Sequence, residues 1–347
     1  MTTTTGTARD VLMVGSVPLA DAEAVFRAVA GTVGDRVRRI PDGETGTRTN
    51  WIVWQFAVFG ASPQLVQVGA SDRYDGLVPY TVRPGVTPDA ITIGALGYAQ
   101  AAKQSWAVFS RLQREGVIPA NTRFQVSLPT PLAPVVRMIA PESQAAVEAV
   151  YERRLLAELD EICAAIPHAS LAIQWDVAIE MAVWEGVWHA WFEEGNDRDA
   201  TERGILTRLT RLGMAVPEGV ELGFHLCYGD AGHAHFVQPR DTENLVAVAN
   251  GIAAGVTRPI QWLHLPVPRE RDDVAYFAAL AGLKLHPETE LYLGLVHLTG
   301  GVSGTERRIA AAQQVTPQFG IATECGFGRR PPEFVAALLQ VHAEARG

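Results

Sequence analysis

The chain has 347 residues, 48% of them hydrophobic and 19% charged, which supplies enough apolar material for a packed core and carries no signature of disorder. A formal net charge of −9 and a pI near 5.5 argue against nucleic-acid and anionic-membrane partners, because an acidic surface gains nothing from counterion release there. No apolar leader follows the polar opening MTTTTGTARD and no apolar run reaches the ~18 residues of a membrane span. A soluble, cytoplasmic protein is expected, with residues 1–10 as a disordered tail and 11–347 as one catalytic domain.

Taken in order, short strand-like runs alternate with longer helical ones. VLMVGS (11–16) precedes helical spacing over 20–33, and RVRRIPD (36–42) opens a long segment, 43–122, with room for extra helices or a lid. RFQVSL (123–128) is followed by a helical pattern over 142–166, and LAIQWD (171–176) by a tryptophan-rich stretch. ELGFHLC (221–227), IQWLHL (260–265) and LYLGLVHL (291–298) alternate with helical patterns over 243–256, 272–283 and 305–315, and FGIATEC (319–325) ends the series. Eight such units predict an α/β fold, a single (β/α)8 TIM barrel with an enlarged second βα segment. An open sheet with a dinucleotide site is disfavoured, since no G-x-G-x-x-G follows the first strand.

In a parallel barrel the chemistry gathers at the C-terminal strand ends. There the sequence places Ser16, Asp42 and Glu44, Thr130, Asp176, His225 and Cys227, His264, His297 and Cys325. The three cysteines are too few, and odd in number, for a disulfide framework, and Cys163 sits in an amphipathic helical pattern as a small hydrophobe. His225-Leu226-Cys227 is different. Residues i and i+2 of a strand share a face, so imidazole and thiol converge, and closure of a barrel carries Cys325 to the same rim. Two sulfurs and a nitrogen suit Zn2+ and leave a position for substrate. Packed strand-end residues are the plainer alternative for H-x-C alone. His233 and His235, in DAGHAHF, form a rival cluster, read as a substrate-facing or solvated loop rather than as ligands.

FHLCYGD (224–230) with ATECGFGRR (322–330) resembles the catalytic domain of cobalamin-independent methionine synthases, in which a strand-end H-x-C and a later C-G bind zinc. MVGSVP (13–18), DGETGTR (42–48), SLPTPLAP (127–134) and IQWDVAIE (173–180) are similar to further segments of that family in the same order, so the resemblance spans nearly the whole chain. It implies that Ser16 contacts the substrate carboxylate, that Glu44 and Asp176 hold its ammonium, and that a methyl-folate is the donor. Asp176 as a cap and Glu44 as a partner of Arg48 are the alternatives.

The chain also departs from the pattern. WLHLPVPRERDD (262–273) has no Glu at the place of the family's fourth zinc ligand, where His264 or water would stand in. The family's D-I-H-S segment has become VHLTGGVSG (296–304), leaving His297 as the catalytic histidine expected here. The family's duplicated N-terminal domain has no counterpart in these residues. Arg329, Arg330 and the GGVSG turn (300–304) are read as exposed or loop residues, and the tryptophans at 175, 184, 188, 191 and 262 as core with rim members.

The reading is therefore a zinc-dependent thiol S-methyltransferase acting on homocysteine or a related amino-thiol. The alternatives are a zinc-dependent alkyl transferase or C–S lyase, as in epoxyalkane:coenzyme M transferase, and a metal-free enzyme of the uroporphyrinogen decarboxylase type. Partners are a small-molecule thiol and a methyl or alkyl donor, and the composition is compatible with a homo-oligomer.

Overall fold

The computed structural model describes residues 9–70, 76–193, 197–229, 234–328 and 330–346. The strands are β1 (Arg39–Pro41), β2 (Leu65–Gln67), β3 (Tyr80–Val82), β4 (Arg123–Pro129), β5 (Leu171–Val177), β6 (Glu221–Leu226), β7 (Trp262–Pro266), β8 (Glu290–Val296) and β9 (Gly320–Thr323). Seven of them form one sheet in the order β1-β4-β5-β6-β7-β8-β9, every neighbouring pair parallel. Helices connect successive strands, as parallel pairing requires.

The sheet curls. Arg39, on the edge strand β1, reaches Glu221 at the start of β6 (3.1 Å) and Glu290 at the start of β8 (3.2 Å). Its guanidinium also lies 4.3 Å over the ring of Trp262 on β7. A flat sheet in this strand order would keep those residues apart. The result is a TIM-like α/β fold with its ion-paired floor at the N-terminal strand ends.

The expected first strand, 11–16, is reduced to parallel bridges from Val11 to Val37 and to Ile321. Beyond it the carbonyls of Met13 and Val14 find side-chain amides instead of a ladder: Gln125 Nε2 donates to both (3.2 and 3.1 Å), and Gln174 Nε2 donates to Val14 O at 2.6 Å. Of the tail, residues 1–8 lie outside the described ones, while Arg9 and Asp10 are tied down. Arg9 donates to Phe319 O (2.7 Å), and Asp10 pairs with Arg38 (3.0 Å).

The helical periods translate closely, into Ala22–Val33, Pro141–Ala165, Glu243–Gly255 and Gly301–Gln313. The expected helix at 272–283 is shorter, an α-turn Val274–Phe277 running into a 3-10 segment Ala278–Gly282. The long 43–122 segment contains the helices Gln55–Gly60 and Tyr98–Arg114 and the antiparallel hairpin β2–β3. The buried Glu158 carboxylate accepts the Leu96, Gly97 and Ala99 amides at 2.5–3.1 Å, satisfying the orphan donors at the start of Tyr98–Arg114.

Gly223 on β6 shows how tightly the interior closes: a Cβ there would sit 1.9 Å from Trp262 Cε2. Gly223→Ala is expected to lower stability by on the order of 3 kcal/mol, because a fully buried indole under Arg39 has nowhere to retreat. Chemical denaturation of wild type and variant checks this, and a midpoint unchanged within error would contradict the packing described.

Candidate active site

Register builds the site. Asp176 on β5 pairs with His225 on β6, and His225 with His264 on β7, so the three stand at one level across adjacent strands. Cys227 follows two residues after His225, its amide still held by Val177 O (3.0 Å). From beyond β9, Cys325 arrives with its Sγ 3.6 Å from Cys227 Sγ. The side-chain nitrogen and sulfur atoms of His225, Cys227 and Cys325 that could hold a metal all lie within 4.8 Å of one another, so the structure brings these three residues together.

The approach of Cys325 has a backbone cause. The β8–β9 register slips between Leu293 and Val296, and Gly294 leaves room that a Cβ would fill, 2.7 Å from Glu324 Cα. The following Gly326 and Gly328 pack on Ser16, where added Cβ atoms would meet Ser16 Oγ at 2.3 and 2.5 Å. Ser16 Oγ accepts the Gly328 amide (3.2 Å).

His264 is not a member of the cluster, contrary to the expectation of a fourth ligand. Its Nε2 is 3.0 Å from Thr323 O, which only accepts, so the proton sits on Nε2. Burial drops the His264 pKa to about 3, so the ring is neutral and its Nδ1 is an acceptor. His225 Nδ1, 2.7 Å away, must then be the donor. Burial, with His264 beside it, holds His225 well below its ordinary pKa. That neutral ring keeps its free lone pair on Nε2, the state a metal-ligating imidazole needs. Both nitrogens of His264 are already spent, on His225 and on Thr323 O.

His225, Cys227 and Cys325 line a cavity of about 490 Å³ together with Ser16, Glu44, Trp51, Arg137, Asp176, Trp188 and His235. Asp42 builds the turn that presents Glu44. Its carboxylate accepts the Glu44 amide (2.9 Å), Arg48 (2.6 Å) and Ser105 (2.7 Å), so Arg48 pairs with Asp42. Glu44 and Trp51 are non-glycine residues with positive φ, 50° and 49°, and both line the cavity, where such strain commonly serves a site. Asp176 accepts from Gln174 Nε2 (2.9 Å) and from the Trp51 side chain. Burial nevertheless pushes its pKa up to about 7, against the pull of those two donors.

His297 is buried and does not line the cavity. Its Nε2 meets Val267 O (2.9 Å) and its Nδ1 lies 3.7 Å from Glu324 Oε1. It pairs with Glu324, so the histidine expected to be catalytic does not face the cavity. His235 occupies the wall, with Nε2 3.1 Å from the other oxygen of Glu324. His233 and Arg329 lie outside the described residues. Of the tryptophans named from sequence, Trp188 lines the cavity, Trp175, Trp184 and Trp262 are buried elsewhere, and Trp191 is exposed. Trp51, Arg137 and Glu324 were not singled out in the sequence. Only the acid beside the cysteine in ATEC offered a hint.

No protein-family model and no curated protein matches the chain. In fold it is similar to a B12-independent methionine synthase from Shewanella sp. W3-18-1, solved in complex with selenomethionine, with 15% identity, a TM-score of 0.58 and coverage of 97% of this chain and 96% of that one. It is also similar to a putative vitamin-B12 independent methionine synthase from Listeria monocytogenes, with 13% identity, a TM-score of 0.52 and coverage of 94% and 87%. At these identities the likeness is one of fold. No helix among the described residues is long and apolar enough to cross a membrane.

Next to the cavity wall, Glu180 is fully buried, and burial pushes its pKa up to about 7 against the pull of the Thr130 hydroxyl. Its folded pKa is raised, so the folded state binds the proton more tightly than the unfolded state between pH ~4.5 and ~7. Stability from this group therefore falls as pH rises through that window. Buried His264 and His297, with lowered pKa values, tilt the whole protein the other way below pH ~6.5, so the comparison must be made by difference. Glu180→Gln is expected to gain on wild type by on the order of 3 kcal/mol between pH 5 and pH 8. Parallel denaturation midpoints across that range would contradict a buried acid that holds its proton on folding.

Proposed function

We propose that the chain is a zinc-dependent thiol S-methyltransferase acting on homocysteine or a related amino-thiol, built on a TIM-like barrel whose eighth stave is the segment at Val11. The observation that carries this reading is the meeting of two thiols and an oriented imidazole at the cavity wall. Two sulfurs bound tetrahedrally at about 2.3 Å stand about 3.8 Å apart. Cys227 and Cys325 are at 3.6 Å, close to that spacing and far from the ~2.05 Å of a disulfide. The spacing of the two sulfurs thus suits the ion. His225, Cys227 and Cys325 would hold it, and zinc would supply the Lewis acidity that keeps a substrate thiol deprotonated at neutral pH.

The protein's own groups do the rest. Gly229 N donates to Cys227 Sγ (3.3 Å), stabilising negative charge on that sulfur. Asp176 and Glu44 offer carboxylates for a substrate ammonium, and Ser16 a hydroxyl for its carboxylate. The apolar wall of Trp51, Ile52, Ile179, Trp188 and Phe236 excludes water around a thiolate and leaves flat surfaces for a methyl donor. The fold shared with the two methionine synthases supports transfer of a methyl group over the alkyl-transferase and decarboxylase alternatives. A methyl-folate is the donor to try first.

The test begins with metal. Wild type is expected to carry about one zinc per chain and Cys325→Ser much less, with homocysteine adding a sulfur scatterer at the zinc X-ray absorption edge. Asp176→Asn is expected to keep its zinc and bind homocysteine at least tenfold more weakly, by loss of one charged partner. Zinc content indifferent to Cys325→Ser would sink the reading. Incubating loaded enzyme with homocysteine and methyl-folate, then assaying for methionine, decides the donor.

A further inference from the structure

Gln174 is fully buried on β5, two residues before Asp176 and therefore on the same face of the strand. Asp176 lines the cavity and Gln174 does not, so the amide lies one layer below the carboxylate. Its orientation is fixed. Trp262 Nε1, which can only donate, stands 3.3 Å from Gln174 Oε1, and Gln125 Nε2 reaches the same oxygen at 3.3 Å. The nitrogen is thereby turned the other way. Gln174 Nε2 donates to Val14 O at 2.6 Å and to Asp176 Oδ1 at 2.9 Å, with Ser127 Oγ further off at 3.4 Å.

One amide group thus ties the opening segment directly to Asp176. That segment has no ladder past Val11, so side chains set much of its position over the sheet. Two residues beyond Val14, Ser16 is held from its other side, where its carbonyl accepts the Phe327 amide (2.7 Å). Val14, Gly15, Ser16 and Asp176 all line the cavity. On the proposed function Ser16 meets the substrate carboxylate and Asp176 its ammonium, two groups that an α-amino acid carries on a single carbon.

We propose that Gln174 is a positioning residue for substrate selection, which sets the separation of the carboxylate and ammonium subsites to that of an α-amino acid by donating to Val14 O and Asp176 Oδ1 together. The assignment rests on the amino-thiol reading above. Gln174 does not touch substrate. Replacing it with Met, which is similar in volume, removes both donated hydrogens and unties Asp176 from the opening segment. The sulfur end of the site is held by other contacts, His225 by His264 and the Cys227 amide by Val177 O.

The test compares three thiols on zinc-loaded wild type and Gln174→Met by calorimetry. They are homocysteine, 3-amino-5-mercaptopentanoate and propane-1-thiol. The second keeps the sulfur-to-ammonium spacing and moves the carboxylate one carbon away, and the third carries neither charged group. Wild type is expected to prefer homocysteine to the longer amino-thiol by about tenfold or more. Gln174→Met is expected to lose about tenfold of that preference, with the loss borne by homocysteine and not by propane-1-thiol. Equal binding of the two amino-thiols by wild type overturns the assignment with no variant needed, which covers a Gln174→Met chain that fails to fold. An unchanged preference in folded Gln174→Met overturns it too, and so does an equal weakening of all three thiols, the mark of a merely structural role. Zinc content and the sulfur count at the zinc edge, taken on the same samples, keep the two ideas separate. Wild type that holds no zinc, or adds no sulfur with homocysteine, fails the thiol-activating reading and takes this proposal with it. Intact zinc and sulfur binding with an unchanged preference fails this proposal alone.

Discussion

The hydrogen bond between His225 and His264 is the contact on which the site is organised. It lies in a dry interior where neither ring is charged, so its direction is set by the only group that cannot negotiate, the Thr323 carbonyl. Protons are assigned outward from that oxygen: His264 donates to it, His225 donates to His264, and His225 Nε2 is left as a lone pair. Thr323 does more than anchor the chain of donors. Its hydroxyl donates to Cys325 O (2.5 Å), so the residue that fixes the imidazole also fixes the backbone carrying the second sulfur. The two sulfurs arrive from sequence positions 98 apart, and β7 with His264 is the rivet between them.

Much of this arrangement is legible in the sequence, for a simple reason. Period-2 strands put i and i+2 on one face, so His225 and Cys227 converge whatever surrounds them, and alternation of strands with helices brings all strand C-termini to one end. What eluded the sequence depends on neighbours that a single strand does not encode. His264 has the chemistry of a ligand, and only the acceptor at Thr323 and the donor at His225 reveal that its nitrogens are spent. His297 sits at a strand end as expected, yet it pairs with Glu324 and has no place on the cavity wall. The first strand reads as apolar and extended, but the amides of Gln125 and Gln174 take its carbonyls, so no ladder forms past Val11. Trp51 and Arg137 come from connections whose paths have no periodic signature.

The glycines explain why the last piece of the site fits so closely. Gly294, Gly326 and Gly328 each mark a place where a Cβ would strike backbone or the Ser16 side chain. They let the segment around Cys325 lie flat against the opening turn, which carries Ser16 and Gly15. Gly15 in turn lies under Glu44, whose Oε1 would be 3.4 Å from an added Cβ. Sulfur, hydroxyl and carboxylate are thus brought together by missing side chains as much as by present ones.

The charge balance of the cavity then limits what it binds well. Asp176 is held near neutrality by burial, so placing a full negative charge there is unfavourable until a cation comes to meet it. A divalent ion held by two thiolates, as proposed, would be neutral, and a third thiolate from substrate would make the cluster anionic. An electrically neutral thiol would leave that charge, and the charge on Asp176, uncompensated in a low-dielectric pocket. An amino-thiol brings its own ammonium, which lets Asp176 ionise and offsets the new thiolate at the same time. On the proposed function, specificity for an amino-thiol over a simple alkyl thiol therefore follows from burial of Asp176 and not from the shape of the pocket alone.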